Sequence, residues 1–364
     1  MRIGISTRGL NKGSYAIRTI IYHLSTQIIE LSAGQHEVFL YFNDPEHEDL
    51  FNDSVQKRTC RIQNRFLWDQ VWLPAAVKKD QIDIILFMKG TMPLLLPTNA
   101  AIIFHDLGYF HDELSAYRKN ETIYMKIMMR QAARLSKHIF ADSKFTHDEA
   151  IEFFKLNPSK INVCYLDCSP LYQPVSENSR IEEVRERYNL PEHFIFFPTS
   201  LSPRKNIPRT LEALNTVKDQ ILQDIVLTGG QAWRVKELIK DIHSGFYDRV
   251  HLLGHIPDED LPVIYSMADF TLYPSLLEGF GMPILEAFRC GSPILTSNIT
   301  SMPELAGDAA YLVDPYDVEQ IAEGIKHLAT NTDLRRSLIL KGREQQKLFS
   351  WEKAAREILA VLTK

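Results

Sequence analysis

The chain has 364 residues, of which 45% are hydrophobic and 24% charged, with a formal net charge of −5. That length exceeds one comfortable core and points to two domains, while the near-balanced charge excludes the basic footprint of a nucleic-acid binder and an acidic tail. Four scattered cysteines, Cys60, Cys164, Cys168 and Cys290, fit free thiols in a reducing compartment rather than a disulfide framework; Cys164 and Cys168 lack the second pair of a zinc site.

The opening MRIGISTRGL runs directly into a strand pattern without a charged region followed by an apolar core, so a cytoplasmic placement is expected. No segment reaches the roughly 18 apolar residues that a membrane span needs. The loop after this first strand carries Gly9 and Gly13. These glycines either let it pack near a bound phosphate or serve a plain strand-to-helix turn, with Ser14 capping the helix SYAIRTIIYHLSTQIIELS.

Further strands follow at EVFLYF, IDIILF, AIIFHD, HIFADS and INVCYL. Their continuous Val/Ile/Phe content indicates burial on both faces, as parallel sheets require. His105 and Asp106 end one of these runs, where the imidazole can meet a ligand hydroxyl or a developing charge, or tie strand to loop. His111 and Asp112 repeat the doublet. In IYMKIMMRQAARLSKHI, the cations Lys126, Arg130, Arg134 and Lys137 share one helical stripe. That stripe is either a solvated face or a surface for an anionic membrane. Ser143 and Lys144 follow another strand.

The polar, proline-bearing SPLYQPVSENSR, residues 169–180, breaks the rhythm and is the expected linker. The expected fold class is α/β: two Rossmann-like doubly wound domains, 1–170 and 180–349, with the C-terminal helix, about 350–364, returning to the first. Ligands of such sheets sit beyond the carboxyl ends of the strands, here in a cleft between the domains.

The second half has strands at FIFFPTS, DIVLTGG, RVHLLG, DFTLYPS, SPILTS and AAYLVD. After the first, Arg204 and Lys205 could neutralise a diphosphate, one by paired hydrogen bonds and the other as a point charge. After DFTLYPS, the loop LLEGFG enters MPILEAFRC. Gly279 and Gly281 permit close backbone approach, Pro283 suits the first helical turn, and the exposed amides form an anion site. Glu278 lies at the mouth. Glu286 lies about a turn inside, where it could accept hydrogen bonds from a ribose-like diol or simply be solvated.

The stretches SLSPRKN, LTGGQAW, VHLLGHIPDEDLPVIYSMAD, YPSLLEGFGMPILEAFRCGSPILTSN, MPELAGDAAYLVDP and FSWEKAA together resemble the donor-binding half of the family-4 retaining glycosyltransferases, which have the GT-B fold. The resemblance implies that Glu278 meets the donor sugar, Glu286 the nucleotide ribose, and Arg204 and Lys205 the diphosphate. It also implies that Gly254 and Ile256, within residues 254–257, flank the base, and that Gly279, Phe280, Gly281 and Met282 offer amides to sugar and phosphate. Thr199 departs from the glycine usual there.

The HDL at His105 and Asp106 resembles mannosyltransferase-like members. The implied activity is retaining transfer of a hexose, mannose from GDP-mannose, to a saccharide or lipid-linked acceptor in surface polysaccharide assembly. No metal or other cofactor is expected, and peripheral contact with the inner face of the membrane is compatible with the basic stripe. UDP-glucose or UDP-N-acetylglucosamine transfer is the alternative donor reading. A GT-B epimerase or phosphorylase, or a non-catalytic sugar-nucleotide binder, are the rival functions.

Overall fold

The computed structural model describes residues 1–10, 14–53, 55–62, 64–200, 202–229 and 247–364. The chain divides into two compact units. One comprises Met1–Asp112, Tyr117–Asp167 and Phe349–Lys364; the other comprises Glu113–Ala116 and Cys168–Leu348.

In the first unit the described strands are β1 (Arg2–Ser6), β2 (Glu37–Phe42), β3 (Gln56–Thr59), β4 (Ile84–Phe87), β5 (Asn99–Phe104), β6 (His138–Ala141) and β7 (Ile161–Val163). They form one parallel sheet in the order β3-β2-β1-β4-β5-β6-β7. The second unit has β8 (Phe194–Phe197), β9 (Asp224–Leu227), β10 (Val250–Leu252), β11 (Phe270–Tyr273), β12 (Ile294–Ser297) and β13 (Tyr311–Val313). These are also parallel, in the order β10-β9-β8-β11-β12-β13. Both sheets are thus doubly wound, as the alternating pattern predicts. The strand order reverses between β1 and β4 in one sheet and between β8 and β11 in the other.

The central strands are apolar on both faces because helices cover both sides. All four residues of β4, β8, β11 and β12 are buried. In the first unit Ile85, Ile102, Phe104 and Ile139 pack with Trp68, Leu73 and Met129 from the covering helices. In the second, Ile195, Ile225, Leu272 and Leu295 pack with Leu211, Leu214, Ile321 and Ile325. Strand β3 has no counterpart in the sequence reading: QKRT has no apolar run because it lies at a sheet edge and is only partly covered.

Three of the helices begin at a capping serine. Ser14, Ser143 and Ser350 accept hydrogen bonds from the amides of Ile17, Thr146 and Lys353 at 3.5, 3.0 and 3.1 Å. The last of these caps the helix Trp351–Leu362, which belongs to the first unit. The residues read as a linker include Ser169 and Tyr172, both buried, and the Val175 amide is tied to Ser266 Oγ at 3.1 Å. None of the four cysteines is bridged. Among the described residues no helix is long and apolar enough to cross a membrane.

Candidate functional site

In the second unit, the residues predicted from sequence meet at the point where the strand order reverses. Strands β8 and β11 are neighbours, with Thr271 opposite Phe196, so the loops that leave their carboxyl ends lie side by side. Three bonds stitch the loops together. Asn206 Nδ2 donates to the carbonyls of Pro274 and Pro315 at 3.1 and 2.7 Å, and the Leu276 amide donates to the Arg204 carbonyl at 2.7 Å. Asn206 can do this because it takes a left-handed φ of 58°, a conformation asparagine tolerates better than most residues.

The stitching places both cations against one acid. Lys205 Nζ donates to Glu278 Oε1 at 2.7 Å and to the Tyr273 hydroxyl at 2.9 Å, and it sits 4.6 Å from the Tyr273 ring centre. Arg204 Nη1 is 3.6 Å from Glu278 Oε2. Burial alone would push the Glu278 carboxyl up, but Lys205 and Arg204 outweigh it and hold the group below its ordinary value. The Lys205 ammonium is lowered, by burial first and with Arg204 adding to it, although Glu278 opposes the shift.

Glu278 leads into the helix Met282–Cys290, which Gly281 opens at φ 100°. That left-handed conformation suits glycine. The Ser301 hydroxyl donates to the carbonyls of Glu278 and Phe280, each at 2.9 Å, which turns both carbonyls inward and fixes the loop ahead of the helix. Gly279, Phe280, Gly281 and Met282 are all buried.

Glu286 points into the protein rather than to solvent. The Tyr265 hydroxyl donates to its Oε2 at 2.8 Å. Burial pushes this carboxyl up to about 7, while Tyr265, Tyr172 and Lys205 pull it back and Asp258 adds to the rise. Tyr265 itself is wedged edge-on between Tyr172 and Phe196, with ring centres at 5.7 and 4.8 Å. The two glutamates therefore differ in electrostatics. One is held charged between cations, and the other is poised between its neutral and charged forms near neutrality.

The loops after β9 and β10 approach the same edge of the sheet. The Gly229 amide donates to the Gly254 carbonyl at 2.8 Å. Gly229 has φ 131°, and a Cβ there would stand 2.6 Å from the Thr199 carbonyl oxygen, so only glycine lets these backbones meet. Thr199, the departure noted in the sequence, turns its hydroxyl to the Ser200 carbonyl at 3.1 Å. Gly254 has φ 72° and Ile256 is buried. Gly13, and residues 230–233 of LTGGQAW, lie outside the described residues.

In the first unit His105 and Asp142 each follow the last residue of neighbouring strands, since Phe104 pairs with Ala141. The ring is held at both nitrogens: Nδ1 lies 2.9 Å from Asp142 Oδ2 and Nε2 lies 2.9 Å from the Met88 carbonyl. A carbonyl can only accept, so Nε2 carries a hydrogen. Burial opposes the charged ring, yet the bond to Asp142 and its charge raise the imidazole above its ordinary value. Burial also pushes the Asp142 carboxyl up to about 6. A direct bond from a ring nitrogen of His105 to a sugar would require giving up one of these two contacts.

Asp106 accepts from the Gly108 amide at 2.9 Å and shapes the following turn. His111 pairs with Glu149 at 2.5 Å and Asp112 with Lys126 at 2.6 Å. Among the described residues no group of three or more His, Cys, Asp or Glu side chains is arranged to hold a metal ion. Lys144 pairs with the exposed Asp148 at 2.8 Å. Along the basic stripe, Lys126 and Arg130 both lie over the Phe110 ring, at 5.8 and 4.8 Å, and Arg130, Arg134 and Lys137 are all exposed.

Sequence reasoning did not find Tyr172, Tyr265, Tyr273, Ser301 or Asp142. Only Asp142 left a local signal, as the acid that ends the strand run HIFAD.

The family profile described as glycosyl transferases group 1 matches residues 180–345, the stretch that contains Arg204, Lys205, Glu278 and Glu286. O-antigen chain mannosyltransferase B of Escherichia coli is 34% identical over 257 residues, covering 70% of this chain and 67% of that protein. Serotype-specific mannosyltransferase WbdA of the same species is 29% identical over 223 residues, 60% of this chain. This chain spans only 27% of the length of WbdA. Among solved structures, sucrose-phosphate synthase from Thermosynechococcus elongatus superposes with a TM-score of 0.75 at 17% identity, covering 99% of this chain and 98% of its own. Anabaena HepE in complex with UDP and glucose gives 0.74 at 18% identity, covering 100% and 99%. At such identities the likeness is one of fold, and that fold is GT-B.

Proposed function

The chain belongs to the group 1 glycosyl transferases, and on that premise we propose that it transfers mannose from GDP-mannose to a saccharide or lipid-linked acceptor hydroxyl with retention of configuration. The contact that carries this reading is Lys205 and Arg204 converging on Glu278, one loop ahead of Glu286. The two cations and the amino end of the helix Met282–Cys290 stabilise the diphosphate as it leaves, which is where negative charge develops. Glu278 orients the sugar, and Glu286 accepts hydrogen bonds from the ribose diol. The acceptor attacks the face from which the diphosphate departs, and a departing phosphate oxygen takes its proton. His105, locked by Asp142 and Met88, is a positioning residue on the acceptor side. No metal ion or other cofactor takes part.

Mannose is supported by the name of the 34%-identical relative, a mannosyltransferase of O-antigen chains, which also supports surface polysaccharide as the product. A UDP-sugar donor, UDP-glucose in particular, is the second reading, because HepE was solved with UDP-glucose. The test is incubation with GDP-mannose and UDP-glucose over a panel of saccharide acceptors, with the new linkage assigned by NMR. An α-mannoside is the expected product. A product inverted relative to its donor would overturn the mechanism, and transfer from UDP-glucose alone would overturn the donor.

We also propose work at the inner face of the membrane, with peripheral attachment through the helix Lys119–Leu135, where Ile123, Ile127 and Leu135 are 60, 53 and 51% exposed beside Arg130 and Arg134. Sedimentation with vesicles that is indifferent to anionic lipid content would remove this attachment.

A further inference from the structure

The reversal point of the second sheet is taken up by the proposed donor site, but the first sheet has a reversal point of its own, between β1 and β4. Ser6 stands opposite Phe87 in these parallel neighbours, so two residues further along each chain Arg8 and Lys89 emerge side by side at the carboxyl edge. Gly9 makes room for Lys89. The glycine's φ is 143°, and a Cβ there would stand 3.1 Å from Lys89 Cδ.

Among the described residues, one carboxylate, that of Asp69, faces these cations. Arg8 Nη1 lies 2.9 Å from Asp69 Oδ2, and Arg65 Nε lies 3.6 Å from the same oxygen. The Arg65 guanidinium also lies 5.5 Å from the Tyr124 ring centre. Asp69 sits in a single π-helical turn, Trp68–Trp72, a distortion that recurs at functional sites. The Arg8 and Asp69 side chains are only 14 and 13% exposed. Burial lowers the Lys89 ammonium to about 8, with Arg8 and Arg65 adding to the effect and Asp69 opposing it. Burial likewise lowers the Arg8 guanidinium and raises the Asp69 carboxyl. Among the described residues, three cations against one acid leave an excess of two positive charges in a half-covered place, an arrangement that favours a visiting anion.

We infer that Arg8, Arg65 and Lys89, gathered around Asp69 at the reversal point of the first sheet, bind a phosphate group carried by the acceptor, either a phosphomonoester or a diphosphate. That the phosphate belongs to an acceptor rests on the transferase reading, while the anion site stands on its own geometry. The doubly charged excess matches a dianion. Two guanidinium forks and one ammonium supply the charge-assisted donors that phosphate oxygens take. The site also occupies the position in an open parallel sheet where ligands collect.

The test is calorimetric titration of the full chain with inorganic phosphate and with pyrophosphate, each with and without a saturating nucleoside diphosphate. An anion bound in the presence of nucleotide is expected, weakened at least about tenfold by Lys89→Gln and by Arg65→Gln and unchanged by Lys205→Gln. Preference for phosphate identifies a monoester and preference for pyrophosphate a diphosphate linkage. Arg65 is half exposed, with 49% of its side chain accessible, so its replacement keeps the test valid if a substitution at Arg8 or Lys89 does not fold. Equal anion affinity in the wild type and both variants overturns the inference, as does a loss confined to Lys205→Gln. A failure of nucleotide to bind would instead count against the transferase reading, and the titration without nucleotide would still decide the anion site.

Discussion

Replacing Glu286 by Gln is expected to stabilise the protein above neutrality while weakening its hold on nucleotide. Glu286 is 6% exposed, and burial pushes its carboxyl from the ordinary 4.5 to about 7. That displacement corresponds to about 3 kcal/mol of preference for the neutral form. The sign follows from proton counting. Between 4.5 and 7 the folded state holds this proton and the unfolded chain has released it, so stability falls as pH rises through that window. The contribution is fully present below about 4.5 and is lost above about 7.

Glutamine has the same shape, still offers an oxygen to the Tyr265 hydroxyl and never ionises. The stability gap in its favour should therefore widen by about 2 to 3 kcal/mol between pH 5 and pH 8, or about 5 to 10 °C in the unfolding midpoint of a unit of this size. The assay is thermal unfolding of both proteins at pH 5, 6, 7 and 8, following the transition of the second unit. The same substitution removes one charged acceptor from a ribose diol, so nucleotide affinity should fall about tenfold or more at pH 8. A variant less stable than the wild type at pH 8, or a gap that does not change with pH, would refute this account of Glu286.

Glu278→Gln should mainly reduce turnover, whereas Glu286→Ala should mainly reduce nucleotide affinity; equal losses of binding alone in both would contradict the division of roles. Glu278→Gln also leaves the buried Lys205 without its anion, which should cost about 3 kcal/mol in chemical denaturation. Ser301→Ala strips the donor from the carbonyls of Glu278 and Phe280, and about 1 to 3 kcal/mol of stability should be lost, with donor KM raised more than kcat is lowered. A Ser301→Ala enzyme with unchanged donor KM would show that the loop keeps its shape without that hydroxyl.

The doubly wound sheets were legible because their strands are apolar along their whole length, and twelve short runs of that kind give the parallel arrangement away. β3 escaped for the opposite physical reason, since QKRT at a sheet edge needs no apolar face. Arg204, Lys205, Glu278 and Glu286 were legible because a strand end, a glycine loop and a helix start are all local patterns. What holds them is not local. Tyr265 reaches Glu286 from 21 residues away in sequence, and Ser301 reaches Glu278 from 23 residues away. Tyr172 was hidden inside a stretch whose prolines and serines read as a linker, although its ring is buried against Tyr265. Arg8 and Lys89 are 81 positions apart, and only the order of strands in the sheet brings them together.

The two sheets share more than their winding. At each reversal point a carboxylate stands among cations: Glu278 with Lys205 and Arg204 in one unit, and Asp69 with Arg8 and Arg65 in the other. A buried cation without an anion is costly, so each acid stabilises its site when no substrate is bound. Each acid also leaves positive charge over, one in the first case and two in the second when Lys89 is counted. On the proposed reading a diphosphate or a phosphate neutralises that surplus on arrival, and the acid, still paired with the cations, keeps their donors aimed. The acids differ in their second task. Glu278 is carried by the loop that opens into the helix Met282–Cys290 and can turn a lone pair to a sugar hydroxyl, whereas Asp69 lies within a helical turn and orients the cations. Chemistry is therefore expected at the first site and recognition alone at the second. Exchanging Asp69 for Asn should accordingly raise acceptor KM and leave kcat unchanged.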